Sequence, residues 1–341
     1  MTSQVERKKR MVRLFKDNNS VLILVIMLFV AFVFVDGYSS GFYNVIRYTA
    51  MYGPVCLGLA LVMITGNIDL SIGSVVGMSC MISATLMTKG INPWVAVGIT
   101  FVCCILVGVL NGQLVAKCKL PPFIATLGTM TIARGIAQIV NNNYNTDSIG
   151  DGAQAFRDFF YYGKFLGVYN TIWIAVVLWI LFNFLLSKTR TGRHIYAIGS
   201  NVEAARLSGV NVVASTTKAY VVSSICACVV GLIICATSGM GTMDAGNMYE
   251  MYAVAASVIG GVSTLGGQGI LLGTVIGASI WGVLQNGLQF AGAPVAIRNI
   301  VIGIIVVISV LLDVVVRSGK PRRKKEKSSS EVKSKNVGVK A

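Results

Sequence analysis

This chain predicts an all-α, polytopic membrane protein on three observations: 55% of its 341 residues are hydrophobic, only 12% are charged, and long apolar tracts recur along it. A mean hydropathy of +0.73 lies outside the range of a soluble globular domain. Each crossing of a hydrocarbon core roughly 30 Å thick takes about 20 mostly apolar residues of helix. Spans are expected near Val21–Val35, Val45–Thr65, Ser71–Met87, Pro93–Ala116, Pro122–Val140, Tyr169–Leu186, Ala219–Thr237, Tyr252–Leu265, Ile270–Phe290 and Ala296–Val316. The first follows a basic segment, and Asp36, Gly37 and Tyr38 after it offer no small-x-small cleavage pattern, so it reads as an uncleaved anchor. The second is interrupted by Arg47 and Pro54. The eighth is short and glycine-rich, as a broken or re-entrant element held inside a bundle would be.

Charge sets the expected orientation, because short cytoplasmic loops collect Lys and Arg. Six basic residues precede the first span (Arg7, Lys8, Lys9, Arg10, Arg13, Lys16), and ten follow the last, from Arg317 to Lys340. Both termini are therefore expected in the cytoplasm, which requires an even number of spans, about ten. Lys117, Lys119, Lys188, Arg190, Arg193, Arg206 and Lys218 fall inside on that count, and the 238–250 loop, with Asp244 and no basic residue, falls outside. The expected organisation is a basic cytoplasmic tail at 1–20, a membrane domain at 21–316 with a cytoplasmic loop at 188–218, and a basic, disordered cytoplasmic tail at 317–341. The tails hold sixteen of the 29 basic residues, so a net charge of +16 speaks for anionic lipid rather than nucleic acid.

The residue inventory excludes several functions. Seven of the eight cysteines lie within expected spans as small packing residues, Cys118 lies at a cytoplasmic helix end, and no CxxC pair suggests a metal or redox centre. The single histidine, His194, sits in the 188–218 loop away from any nucleophile. Neither Gly-Lys pair, at 163–164 and 319–320, belongs to a phosphate-binding loop, so the chain is expected to bind no nucleotide or other cofactor itself. An ion-coupled secondary transporter would need ionisable residues inside the membrane, and Arg47, Asp69, Arg134, Glu250 and Arg298 are the candidates. Asp69 and Glu250 are read as structural or gating groups at helix ends.

Glycine is abundant, at 37 residues, and stripes of small residues let helix backbones approach closely. The segments beginning GNIDLSIG at 66 and GGQGILLG at 266 match faintly, 200 residues apart. Their spans run in the same direction, so the match does not make an inverted repeat.

Several segments together resemble a family: GNIDLSIGS at 66–74, PFIATLGTM at 122–130, TGRHIYAIG at 191–199, NVEAARLSGVN at 201–211, and Tyr249-Glu250 followed by Ala255-Ala256 and Gly260-Gly261. They are similar, in the same order, to the permeases of ribose-type ABC importers, within the branched-chain amino acid/ribose permease superfamily. The resemblance implies a bacterial cell-membrane subunit that forms the translocation pathway for a sugar or related neutral solute. It implies three partners: a second permease, a cytoplasmic ATPase carrying ATP and Mg, and an extracytoplasmic solute-binding protein. Glu203, Ala204, Ala205 and Gly209 resemble the cytoplasmic loop through which such permeases couple to the ATPase. Ala204-Ala205 would let a short helix seat in a groove, Glu203 suits its positive end, and Gly209 would end it.

Two positions depart from the family's pattern: Asn67 stands where a second glycine is usual, and Tyr252 where aspartate is. The choice among pentose, hexoside, polyol, furanoside and nucleoside therefore stays open, and an ion-coupled transporter of a small polar solute is the alternative class. Candidate pathway residues are Asn111, Gln113, Gln285 and Asn286, because an amide can bond a hydroxylated solute without the desolvation cost of a charge. Interhelical hydrogen bonding is their other reading.

Overall fold

The computed structural model describes residues 38–318. The expected span at Val21–Val35 and both tails lie outside them. Helix α1 (Tyr38–Ile64) absorbs both Arg47 and Pro54 without a break and starts ahead of the expected Val45. It stops at Gly66, whose φ of +80° is open to glycine at little cost. Helices α2 (Ile72–Thr88), α3 (Pro93–Ala116) and α4 (Pro122–Ile139) follow. Proline opens both α3 and α4, where no intrahelical N–H is needed, and Asn92 caps α3 by accepting from the Trp94 amide at 2.9 Å.

An excursion over 151–169 was not expected from hydropathy. It comprises a 3₁₀ turn (Asp151–Ala153), the short helix α5 (Gln154–Arg157), a π turn (Asp158–Tyr162) and a two-stranded hairpin. In the hairpin, β1 (Lys164–Phe165) pairs antiparallel with β2 (Val168–Tyr169) across Leu166 and Gly167, both at positive φ. Helix α6 (Asn170–Lys188) then returns along the bundle.

The polar 188–218 segment resolves into two short helices, α7 (Arg190–Ser200) and α8 (Val202–Leu207), followed at once by α9 (Val212–Ser238). Asn211 caps α9 through the Ala214 amide at 2.9 Å, which starts the helix ahead of the expected Ala219 and takes in Lys218. Helix α10 spans only Tyr249–Ile259, ending before the expected Leu265 because Gly260 and Gly261 break it, the latter at φ +86°. At 1.5 Å per residue it reaches about 16 Å, roughly half a bilayer core. Helices α11 (Leu271–Phe290) and α12 (Val295–Ser318) complete the described chain.

Among the described residues five helices, α1, α3, α6, α9 and α11, are long and apolar enough to cross a membrane. At the centre stand α2, in which 15 of 17 residues are buried, and α9. Around them, α3 and α6 turn branched aliphatic side chains outward, among them Val102, Leu106, Val177 and Ile180, as helices facing hydrocarbon do.

Glycine sets how closely α9 is held. A Cβ built on Gly58 of α1 would lie 2.9 Å from Cys226, one on Gly108 of α3 would lie 2.8 Å from the Val221 backbone, and one on Gly231 of α9 would lie 2.6 Å from Ser79. In a membrane, packing rather than water exclusion drives helices together, so these approaches carry much of the association.

The connections gather at two ends. At one end Gly267 donates its amide to the Ile64 carbonyl at 2.8 Å. At the other, Ile149 donates to the Gly239 carbonyl at 2.9 Å, and Trp94 meets Phe159 edge to face at 5.3 Å.

Gly112→Val, which would press on Thr217 with Cβ atoms 2.8 Å apart, is expected to destabilise the chain by about 1–3 kcal/mol. Gly98→Val, with nothing within 4 Å of its Cβ position, is expected to leave it unchanged. Thermal unfolding of the two purified variants in one detergent checks the pair, and equal midpoints would contradict it.

Candidate functional site

At the first end, α8 presents itself away from the bundle. Asn201 caps it by accepting from the Ala204 amide at 2.9 Å, and Glu203 pairs with Arg206 at 2.7 Å across one exposed turn. The helix ends in two crossed hydrogen bonds, Val210 amide to Ala205 carbonyl at 3.1 Å and Gly209 amide to Arg206 carbonyl at 3.0 Å. That is the Schellman arrangement, and it needs the left-handed φ of +81° that Gly209 supplies. Ala205 is buried against the chain, whereas Glu203, Ala204 and Val202 are exposed and Leu207 is 88% exposed.

Helix α7 carries α8 and is anchored by backbone contacts. Ile195 and Ile198 are buried, and the Tyr196 hydroxyl donates to the Gly269 carbonyl at 2.6 Å. Gly199 lies directly on the Ile64 carbonyl and the Gly267 amide, where no side chain fits. Gly266 lies against Gly66, with 2.6 Å between a Cβ built on the former and the Cα of the latter. The end of α1, the 260–270 loop and α7 are thus locked together main chain to main chain, and the two glycine segments that match in sequence meet there.

Further inside, Asp69 is fully buried between α1 and α2. One carboxylate oxygen accepts from the Ser71 amide at 3.0 Å and hydroxyl at 2.6 Å, and the other accepts from the Ser223 hydroxyl of α9 at 2.7 Å. The Asn111 amide of α3 donates to Ser71 Oγ at 2.8 Å, and the Thr129 hydroxyl of α4 donates to Asn111 Oδ1 at 2.6 Å. One continuous network therefore ties α2, α3, α4 and α9. Its centre lies about 16 Å beyond the first residue of α9 at 1.5 Å per residue, so α2 begins within the bundle rather than at its edge.

A second polar crossing lies beside it. Arg134 of α4 passes α2 at Gly77 and donates to the Met243 and Ala245 carbonyls at 2.9 and 3.0 Å, holding the run of turns ahead of α10. Glu250, in the first turn of α10, places its carboxylate on Gly73 of α2. Both glycines are required, since a Cβ on Gly77 would lie 2.8 Å from Arg134 Nη1.

Of the four amides singled out from sequence, Asn111 belongs to the Asp69 network, and Gln113 donates to the Thr217 hydroxyl at 3.3 Å. Gln285 hydrogen-bonds Tyr252, and Asn286 lines a polar cavity at the opposite end of the bundle. Sequence reasoning did not assign Ser71, Ser223 and Thr129 to this network. A hydroxyl in an apolar helix was their only signal, and that signal is shared with hydroxyls that bond their own helix, such as Thr100.

A polytopic bundle with a polar interior, and a capped helix pair hung from one end, defines a membrane transport component. The chain belongs to the family of branched-chain amino acid transport system permease components, whose model matches residues 41–310. It is 35% identical over 272 residues to the ribose import permease protein of Bacillus subtilis, covering 79% of this chain and 83% of the relative. It is 34% identical to the corresponding protein of Escherichia coli K12 over 80% of this chain and 85% of that one. The galactose/methyl galactoside import permease protein of Haemophilus influenzae is 32% identical over 90% of this chain and 96% of its own length. No solved structure matches. The chain is therefore a multi-pass permease subunit and not an enzyme.

Asp69→Ala leaves three donors without an acceptor in a buried site and is expected to lower stability by about 3 kcal/mol or more. Asp69→Asn keeps the shape and part of the bonding, and should cost less. Thermal midpoints of the purified variants check the order; a reversal would show that the network does not hold these helices.

Proposed function

We propose that this chain is the membrane-spanning subunit of an ATP-binding-cassette importer that moves a sugar or related neutral, hydroxylated solute across a bacterial cell membrane. The observation that carries the proposal is α8: a capped, Schellman-terminated helix, exposed at its tip and anchored through α7 to the ends of α1 and α11. Such a helix suits the task of receiving motion from an ATPase that binds ATP and Mg itself. The relatives' names supply the solute class.

The full topology has about ten spans, with both termini in the cytoplasm. Lys117, Lys119, Lys188, Arg190, Arg193 and Arg206 all gather at the α7–α8 end, whereas Asp147, Asp151, Asp158 and Asp244 lie at the other, with Lys89, Arg157 and Lys164. This distribution supports a cytoplasmic α7–α8 end and an outer face that meets a solute-binding protein. A second permease, identical or different, completes the pathway. Asp69 and Glu250 then act as structural or gating groups, since both oxygens of Asp69 are engaged by serines rather than open to an ion.

Co-purification with the candidate ATPase tests the coupling assignment. Gly209→Trp forces a side chain onto a φ of +81°, and Glu203→Arg sets two like charges on one exposed turn. Each is expected to reduce ATPase recovery about tenfold, a change of roughly 1.4 kcal/mol, while the permease itself elutes normally. Recovery equal to that of the unsubstituted chain would remove α8 from the docking surface.

A further inference from the structure

A cavity of about 530 Å³ opens at the outer end, bounded by α1, α11, the last turn of α9 and the π turn. Its size falls within the range of small-molecule sites. Two other cavities, of about 420 and 610 Å³, are lined almost wholly by aliphatic and aromatic side chains, as lipid-facing grooves are. This one instead brings together Asn44, Arg47 and Tyr48 from α1, Tyr161 from the π turn, and Asn286 and Gln289 from α11.

Arg47 is the unusual member. Its guanidinium lies 4.4 Å from the centre of the Tyr161 ring and 4.0 Å from that of Tyr169, so two ring faces hold the group in place. No carboxylate pairs with it among the described residues, and its buried Nε meets no hydrogen-bond partner. An oriented, donor-only fork at the wall of a polar cavity is suited to oxygen acceptors. Gln289 accepts from the Tyr48 hydroxyl at 2.9 Å through Oε1, which leaves its N–H₂ as the end that donates.

Aromatic rings continue inward from this wall. Tyr48 stacks on Tyr52 at 6.3 Å, Tyr52 meets Tyr249 at 5.0 Å, and Tyr252 stacks on Trp281 at 4.5 Å. Ring faces beside amide and guanidinium donors match the two surfaces of a cyclic polyol, its C–H face and its hydroxyl edge. A cationic solute would face Arg47 and find no carboxylate on the lining.

We infer that this outer cavity is a solute-loading site in which Arg47, Asn286 and Gln289 hold the oxygen acceptors of a neutral or acidic monosaccharide before it passes inward. The site rests on the importer reading above. Hydroxyl and carboxylate oxygens are both acceptors, so the test must separate them.

The complete complex, with its ATPase and binding protein, is reconstituted in vesicles and given radiolabelled D-ribose, D-galactose or D-galacturonate. Arg47→Gln and Asn286→Ala are each expected to raise the KM for uptake about tenfold. Arg47→Lys, which keeps the charge without the fork, should recover part of the loss. Loss for galactose and galacturonate alike identifies hydroxyls as the ligands of Arg47, and loss confined to galacturonate identifies the carboxylate. If one variant fails to insert, the KM of the other decides. Unchanged KM in the variants that do insert would overturn the loading site and leave the importer reading intact. No uptake of any probe by the unsubstituted complex would overturn the importer reading, and the site with it.

Discussion

Direct approach of backbone to backbone at glycine is the constraint on which the rest of this structure depends. Lipid gives helices no hydrophobic reason to associate, so contact area and interhelical hydrogen bonds must supply the energy. Gly58, Gly108 and Gly112 seat α9 against α1 and α3, and Gly231 seats it against α2. Only at such separations can short side chains reach across, as Ser223 does to Asp69 and Ser79 to the Cys228 carbonyl at 2.9 Å. The polar network is thus a consequence of the glycine pattern as much as a cause of the packing.

The buried charges follow from the same geometry. A carboxylate in a bundle is tolerable when its lone pairs are filled, and Asp69 takes its three hydrogen bonds from two serines. Arg134 solves the opposite problem by giving its N–H groups to carbonyls that the broken chain ahead of α10 leaves without helical partners. Non-helical backbone at this depth needs such donors, which explains why a cation crosses α2 at a glycine.

Much of this was legible in the sequence because the strongest terms are local. Apolar runs separated by polar turns mark α3, α6, α9 and α11, and proline after a polar turn marks the starts of α3 and α4. The EAARLSG pattern carries an acidic first turn and a glycine stop, so both the existence of α8 and the role of Gly209 could be read before any fold was known. The 151–169 excursion was not legible, since a five-residue π turn and a two-residue-strand hairpin leave no period to detect. The short reach of α10 was only half legible: its glycine content announces a break, but the place of the break is decided at Gly260 and Gly261 by packing on α11. Asn111 shows the limit most clearly. Its amide type suggested a pathway or an interhelical role equally, and only the positions of Ser71 and Thr129 on two other helices show what it bonds.

The two ends of the bundle are built for different work. At the α7–α8 end the backbones meet directly, Gly199 on Ile64 and Gly267, and the Tyr196 hydroxyl adds a side-chain bond to the Gly269 carbonyl. Such close contacts leave little slack, so under the importer reading a push on α8 would reach the end of α1 and the loop entering α11 through α7. Both helices run to the opposite end, where Arg47, Tyr48, Asn286 and Gln289 of the same two elements face one cavity. That end is held by side chains, through stacked rings and a Tyr48 to Gln289 hydrogen bond that can exchange for other partners. A stiff connection at one end and an exchangeable one at the other would let a movement of α1 against α11 that starts at the α7–α8 end be expressed at the opposite one. The rigidity of the first contact and the adaptability of the second arise from the same choice of residue at each place: glycine where the chain must be gripped, and aromatic and amide side chains where it must release.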